Sequence, residues 1–238
     1  YGRMFHGLDP EIAVVTTIEM DHPDCFADID EMREAYSVFL DRLRPDGSIV
    51  ACVDGMQVRR LLAERVDRTG VITYGTDPSA DYVVANVAAN AFGGVDFELF
   101  TGGQPLTCCS LSLPGVHNAL NAAAALIVAQ RCGVSMITAC DALAAFAGVR
   151  RRFELKGEAW GVAVIDDYGH HPTEIAATLA AARQRYPDRR LWAVVQPHTF
   201  SRLQALWDSF RTCLKDADEA IITDVYAARS REVHGAAD

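Results

Sequence analysis

The sequence predicts an α/β chain of two domains, residues 1–148 and 149–238, the first a mainly parallel sheet with antiparallel edge strands. Three observations predict it. β-Branched apolar runs alternate with stretches whose apolar residues recur every three or four positions. Residues 81–113 hold short strands spaced by Gly-rich turns, a hairpin signature. After "RRRFE" (150–154) the strand–helix alternation starts again, which argues for a second covered parallel sheet.

In order, "IAVVTTI" (12–18) reads as a strand and "DIDEMREAYSVFLDRL" (28–43) as a helix, with Met32, Ala35, Tyr36, Phe39 and Leu43 on one face. "RPDG" (44–47) ends it with turn residues. Strand "SIVACVD", a helix through "MQVRRLLAERV" and strand "VITYGT" follow. "YVVANV", "VDFELF" and "LTCCSLSL" are the expected edge strands, and helices follow within 113–134 and 137–149. In the second domain, strand 161–166 leads to helix 173–186, strand 191–196 to helix 203–217, and strand 219–225 to "YAARSRE".

Composition narrows the function classes. A formal charge of −10 argues against a nucleic-acid binder, which normally shows a basic face. A small anionic ligand stays possible, because local arginines can dominate one cleft. No apolar run reaches the roughly 18 residues that span a bilayer, and no signal peptide opens the chain. Seven cysteines, odd in number and without a C-x-x-C pair, read as buried reduced thiols rather than a zinc site or disulfide framework. The expected compartment is the cytoplasm.

Chemistry-bearing residues fall at predicted strand ends, where ligands bind in open parallel sheets. Asp166, Asp167, Tyr168 and His170 follow one strand; Gln196, His198 and Arg202 the next; Asp224 and Arg229 the third. In "VIDDYGHHPTEI" (164–175), Pro172 suits the first turn of a helix, His171 or Thr173 a cap, and Glu174 the positive helix start. "EMDHPD" (19–24) gathers Glu19, Asp21, His22 and Asp24, which suits Mg²⁺ beside phosphate or an ordinary acidic loop. "PGVHNALNAAAA" (114–125) sets Asn118 and Asn121 three apart on a helix start; Asn matches the donor–acceptor edge of adenine, or caps the helix. "GVRRRFELKGE" (148–158) places three arginines at the domain junction, where they suit phosphate or form an exposed basic turn.

In order along the chain, "VVTTIEMDHPD", "GVHNALNAAAAL", "GVRRRFELKGE", "IDDYGHHPTEI", "QPHTFSR" and "TDVYAAR" resemble the Mur ligases. The resemblance implies a partial central ATP-binding domain followed by an incomplete Rossmann-like C-terminal α/β domain. It implies ATP and Mg²⁺, with UDP-N-acetylmuramate and L-alanine as substrates, and neither nucleic acid nor membrane as partner. The implied reaction is ATP-driven amide formation through an acyl phosphate in cytoplasmic peptidoglycan precursor synthesis. Carried over by motif, His22 is a Mg²⁺ ligand with Glu19 supporting it, Asn118 and Asn121 hold adenine, Arg152 reaches ATP phosphate and Asp167 meets the ribose. Tyr168, His170, His198 and Arg202 face the muramoyl substrate and the alanine. His22, Arg152, His170, His198 and Arg202 form the implied catalytic set.

Three departures stand out. No G-K-T type phosphate loop occurs in these residues, so the chain by itself is expected to be inactive. Thr17 stands where the family has Asn, and Thr199 where some members have Arg. Two other readings are a recycling ligase that takes a murein tripeptide, which "QPHTFSR" disfavours, and a non-catalytic nucleotide-binding module.

Overall fold

The computed structural model describes residues 3–67 and 69–227. They form two compact units, the first of Tyr1–Met20, Cys25–Ser112 and Val116–Phe146, the second of Asp21–Asp24, Leu113–Gly115 and Ala147–Asp238.

The first unit is built on one six-stranded sheet: β1 (Ile12–Val15), β2 (Ser48–Cys52), β3 (Val71–Gly75), β4 (Tyr82–Ala89), β5 (Val95–Thr101) and β6 (Gln104–Leu111), in that spatial order. The pairs from β1 to β4 are parallel, and β4–β5 and β5–β6 are antiparallel, so the predicted hairpin strands do extend the same sheet. Four helices accompany it: α1 (Ile29–Leu40), α2 (Met56–Glu64), α3 (Val116–Arg131) and α4 (Met136–Ala144).

All five residues of β2 are buried, and its period-2 alternation divides them between two cores. Val50 and Cys52 join Tyr74, Phe97, Leu99 and the Ala119, Ala123, Leu126 and Ile127 face of α3. Ile49 and Ala51 join Met32 and Ala35 of α1 and Val58 and Leu61 of α2. A strand buried on both faces must read as an unbroken apolar run, and "IVAC" does. The alanines of α3 let that helix lie close to the sheet. The first strand is shorter than predicted: Thr16 and Thr17 leave the ladder although Ile18 is buried. Gly94 is required by close approach, since a β-carbon there would collide with the carbonyl of Leu111 across the hairpin.

The second unit pairs β7 (Glu154–Ala159) with β8 (Val162–Asp166) antiparallel, and β9 (Trp192–Val195) with β10 (Glu219–Ile222) parallel. Helix α5 (Pro172–Arg185) supplies Ile175 and Leu179 to a small core with Ala193 and Cys213, and Ala181 and Ala182 to another with Phe153. Three features differ from expectation. Among the described residues the expected parallel sheet is two separate two-stranded sheets, because β8 pairs with β7 rather than with β9. β7 was not predicted, because "LKGE" lacks an apolar pattern; a two-residue turn makes it, with Trp160 (φ 50°) and Gly161 (φ 78°) both left-handed as tight hairpins require. The predicted helix 203–217 is two short ones, α6 (Phe200–Ala205) and α7 (Trp207–Phe210), divided at Leu206, whose φ of −115° and ψ of 24° leave the helical region. "YAARSRE" beyond its first two residues, and with it Arg229, lies outside the described residues.

The seven cysteines are free, but only Cys52, Cys109 and Cys213 are buried. Cys108 is exposed because strand alternation points it away from its buried neighbour Cys109, and Cys132 is exposed just past α3. No helix among the described residues is long and apolar enough to cross a membrane.

Candidate functional site

The polar turns of the second unit converge in an aromatic row. Ring centroids lie 5.1 Å apart for Tyr168–His170, 5.4 Å for His170–His198 and 5.5 Å for His198–Tyr226. Each ring follows a strand end: Tyr168 and His170 come after β8, His198 after β9, Tyr226 after β10. A backbone bridge between His198 and Tyr226, with Thr199 N–H donating to the Tyr226 carbonyl at 3.0 Å, fixes the last two turns together.

The helix after the first turn begins with its own locks. His171 is the N-cap of α5 and Pro172 its first residue, as predicted, and His171 Nδ1 accepts from Thr173 N–H at 3.3 Å. Glu174 closes the capping box: its Oε2 accepts the backbone N–H of His170 at 3.0 Å and of His171 at 3.2 Å. Burial pushes the Glu174 carboxyl up, but these two amides, His170 and Arg152 outweigh it and leave it below the usual glutamate range.

Arg151 and Arg152 both stand over the Tyr168 ring, at 4.7 and 5.7 Å from its centroid, a cation–π arrangement. Arg151 is also 3.7 Å from Asp166, and Arg152 3.7 Å from Glu174. Arg151 and Phe153 take positive φ (57° and 48°), which turns the chain sharply between the arginines and β7. Asp167 braces that turn: Oδ2 accepts Phe153 N–H at 2.9 Å and Oδ1 accepts Gly169 N–H at 2.7 Å. Each carboxylate oxygen has a second lone pair, so Asp167 can accept a further donor without releasing the turn.

Arg202, only 3% exposed, is held by three contacts. Its Nε donates to Asp21 Oδ1 at 2.7 Å, and Nη1 donates to the His198 carbonyl at 3.0 Å and to His198 Nδ1 at 3.1 Å. Burial raises the Asp21 carboxyl, but the Arg202 hydrogen bond and the His22 amide bring it below the ordinary aspartate value. Thr199 has φ 68°, costly for a β-branched residue, and its Oγ1 accepts Arg202 N–H at 3.3 Å as the cap of α6.

His22 also has positive φ (52°); its N–H donates to Asp21 Oδ1 at 2.7 Å and its Nε2 lies 3.5 Å from Asp21 Oδ2. In the first unit Glu19 accepts from the Thr17 hydroxyl at 3.3 Å. No group of three or more His, Cys, Asp or Glu side chains among the described residues is placed to hold a metal. One imidazole and one carboxylate suit an ion that keeps water and phosphate oxygens in its shell, as Mg²⁺ does, rather than a protein cage. Asn118 and Asn121 lie in the first turns of α3; the helix starts at Val116, so Asn118 is not its cap.

A cleft of about 550 Å³ in the second unit is lined by Val162, Ala163 and Ile165 of β8 and by Leu191, Ala193 and Val195. Its walls are mainly apolar, with Arg189 and Arg190 also lining it, and of the site's polar turns only Asp167 and Gly169 reach it. The structure thus brings Tyr168, His170, His198 and Arg202 together, with Arg152 over the first ring. Sequence reasoning missed Tyr226, the placing of Arg151 (one of the three arginines it noted) over Tyr168, and the pairing of Asp21 (noted only in an acidic loop) with Arg202. Tyr226 was open to the strand-end rule; the other two depend on left-handed turns and a contact across 181 positions, which no local pattern carries.

Two family models match the chain: the Mur ligase middle domain over residues 2–129 and the Mur ligase, glutamate ligase domain over 151–238. The UDP-N-acetylmuramate–L-alanine ligase of Salinibacter ruber is 41% identical over 235 residues, which are 99% of this chain and 49% of that one. Among solved structures, UDP-N-acetylmuramate–alanine ligase of Thermotoga maritima superposes with a TM-score of 0.76 at 24% identity, covering 95% of this chain and 49% of the other. A murein peptide ligase from Psychrobacter arcticus gives 0.59 at 24% identity, covering 92% and 51%. The fold is therefore common to both acceptor types. The chain spans about half the length of the curated relatives it matches.

Proposed function

The chain belongs to the Mur ligase family, and from that premise we propose that it carries part of the machinery joining L-alanine to the carboxylate of UDP-N-acetylmuramate at the expense of ATP. The observation that carries the reading is the row Tyr168–His170–His198–Tyr226 with Arg151, Arg152 and Arg202 beside it. Cations and hydrogen-bonding rings gathered at strand ends suit a site for anionic groups. The name of the Salinibacter ruber relative supports L-alanine as acceptor.

A carboxylate is a poor acyl donor, since oxide is no leaving group. Transfer of the ATP γ-phosphoryl group to it releases ADP and gives an acyl phosphate; the alanine nitrogen then loses a proton as it bonds to the acyl carbon, and phosphate leaves with the C–O electron pair. The protein's task is positioning and charge neutralisation. Arg152 meets phosphate oxygens with a planar fork of donors, and Asp167 accepts from the ribose while its turn stays braced. Asn118 and Asn121 read the adenine edge. His22 and Glu19 hold Mg²⁺, which supplies positive charge beside the phosphates. Tyr168, His170, His198 and Arg202 face the muramoyl group and the incoming amino acid.

The test is phosphate release by the complete parent protein with ATP, Mg²⁺ and UDP-N-acetylmuramate, comparing L-alanine with the murein tripeptide. Release that needs L-alanine is expected, with the 238-residue chain silent beside it. Release that needs the tripeptide would replace the reading with the recycling ligase, and no release with either would point to a nucleotide-binding module.

A further inference from the structure

We infer that the two neighbouring histidines of the site are fixed in opposite tautomers, and that Asp21 is the positioning residue that, through Arg202, sets the second. A guanidinium donates and never accepts, so His198 Nδ1, 3.1 Å from Arg202 Nη1, accepts, and the neutral ring carries its proton on Nε2. A carbonyl oxygen accepts and never donates, so His170 Nδ1, 2.9 Å from the Tyr168 carbonyl, carries the proton, and Nε2 of the neutral ring holds the lone pair. The rings are 5.4 Å apart. Two imidazoles that look alike in sequence thus present one Nε2 that accepts and one that bears hydrogen.

The tautomer of His198 rests on the aim of Arg202. The backbone carbonyl of His198 and Asp21 Oδ1 hold Nη1 and Nε of one planar group, which leaves the guanidinium little freedom to rotate. Asp21 stands 181 positions earlier in the chain, and no pattern in "EMDHPD" marks it for this task. The arrangement suits a ligand with an amine beside an anionic group, because the amine needs an acceptor and an imidazole locked as Nδ1–H provides one. That statement of ligand class rests on the proposed function; the tautomers do not.

The experiment is ¹⁵N-histidine NMR on the unliganded 238-residue chain at mildly alkaline pH, where the long-range ¹⁵N–¹H pattern distinguishes the two neutral tautomers. Peaks are assigned with His170→Gln and His198→Gln. Expected are the Nδ1–H pattern for His170 and the Nε2–H pattern for His198. Arg202→Met should shift His198 toward a mixture and leave His170 alone. Asp21→Asn, which preserves shape and guards against a folding failure in the first variant, should move His198 in the same direction by less. The inference is overturned by an Nδ1–H or averaged His198 in the unaltered chain, or by a His198 pattern indifferent to both folded variants. Because no substrate is present, failure here is separate from failure of the phosphate-release assay.

Discussion

β2 in the first unit and β9 in the second have nearly the same chemistry, "SIVAC" against "WAVV", and opposite surroundings. Every residue of β2 is buried, whereas in β9 Trp192 is 57% exposed and Val194 67% exposed. Burial is a property of the neighbours: β2 lies between two strands and two layers of helix, while β9 pairs with β10 and packs through Ala193 alone among its buried residues. Apolar pattern therefore locates a strand but does not weigh it.

Substitutions at the two places break or sharpen that contrast. Phe97→Ala, in the core that β2 serves, should cost about 3–5 kcal/mol, read by chemical denaturation; a cost near that of an exposed site would end the comparison. Next comes Arg202→Met, which strips a half-buried Asp21 of its partner and should destabilise the second unit by roughly 2–3 kcal/mol. His171→Ala, removing the cap of α5, should cost about 1 kcal/mol, with His171→Asn restoring most of it. Val194→Ala should cost less than about 0.5 kcal/mol, since it removes little buried surface.

The last prediction concerns acid. Glu174 and Asp77 both have folded values below their ordinary ones, Asp77 at about 2 through Ser79 and Arg59. For carboxyls lowered by folding, the stabilisation is complete above the unfolded values, near 4.5 and 3.8, and is lost as pH falls through the folded ones. Glu174→Gln should flatten the acid limb of a melting curve for the second unit but leave that of the first, where Asp77 sits.

How much of this was legible follows from the reach of each signal. The parallel run of β1 to β3 and the capped start of α5 lie in local patterns, and reading them was sufficient; β4, read only as a hairpin strand, also pairs in parallel with β3. β7 was hidden because its identity comes from a two-residue turn at Trp160 and Gly161 rather than from its own residues. Leu206 interrupts a helix without glycine or proline, so nothing local announces the break. At the site, strand-end residues were found because the sheet's direction exposes them. The contacts of Asp21 and Arg151 were missed because their partners are chosen by the folded chain.

Asp167 holds two backbone amides at once. The N–H groups of Phe153 and Gly169, fourteen and two positions away, end on one carboxylate. Their rates of exchange with heavy water form a paired clock for that turn. A hydroxyl that settles on Asp167 alongside them should slow both, and a ligand that displaces them should quicken both. The proposed nucleotide contact at Asp167 is thereby testable by mass, peptide by peptide, without a catalytic turnover.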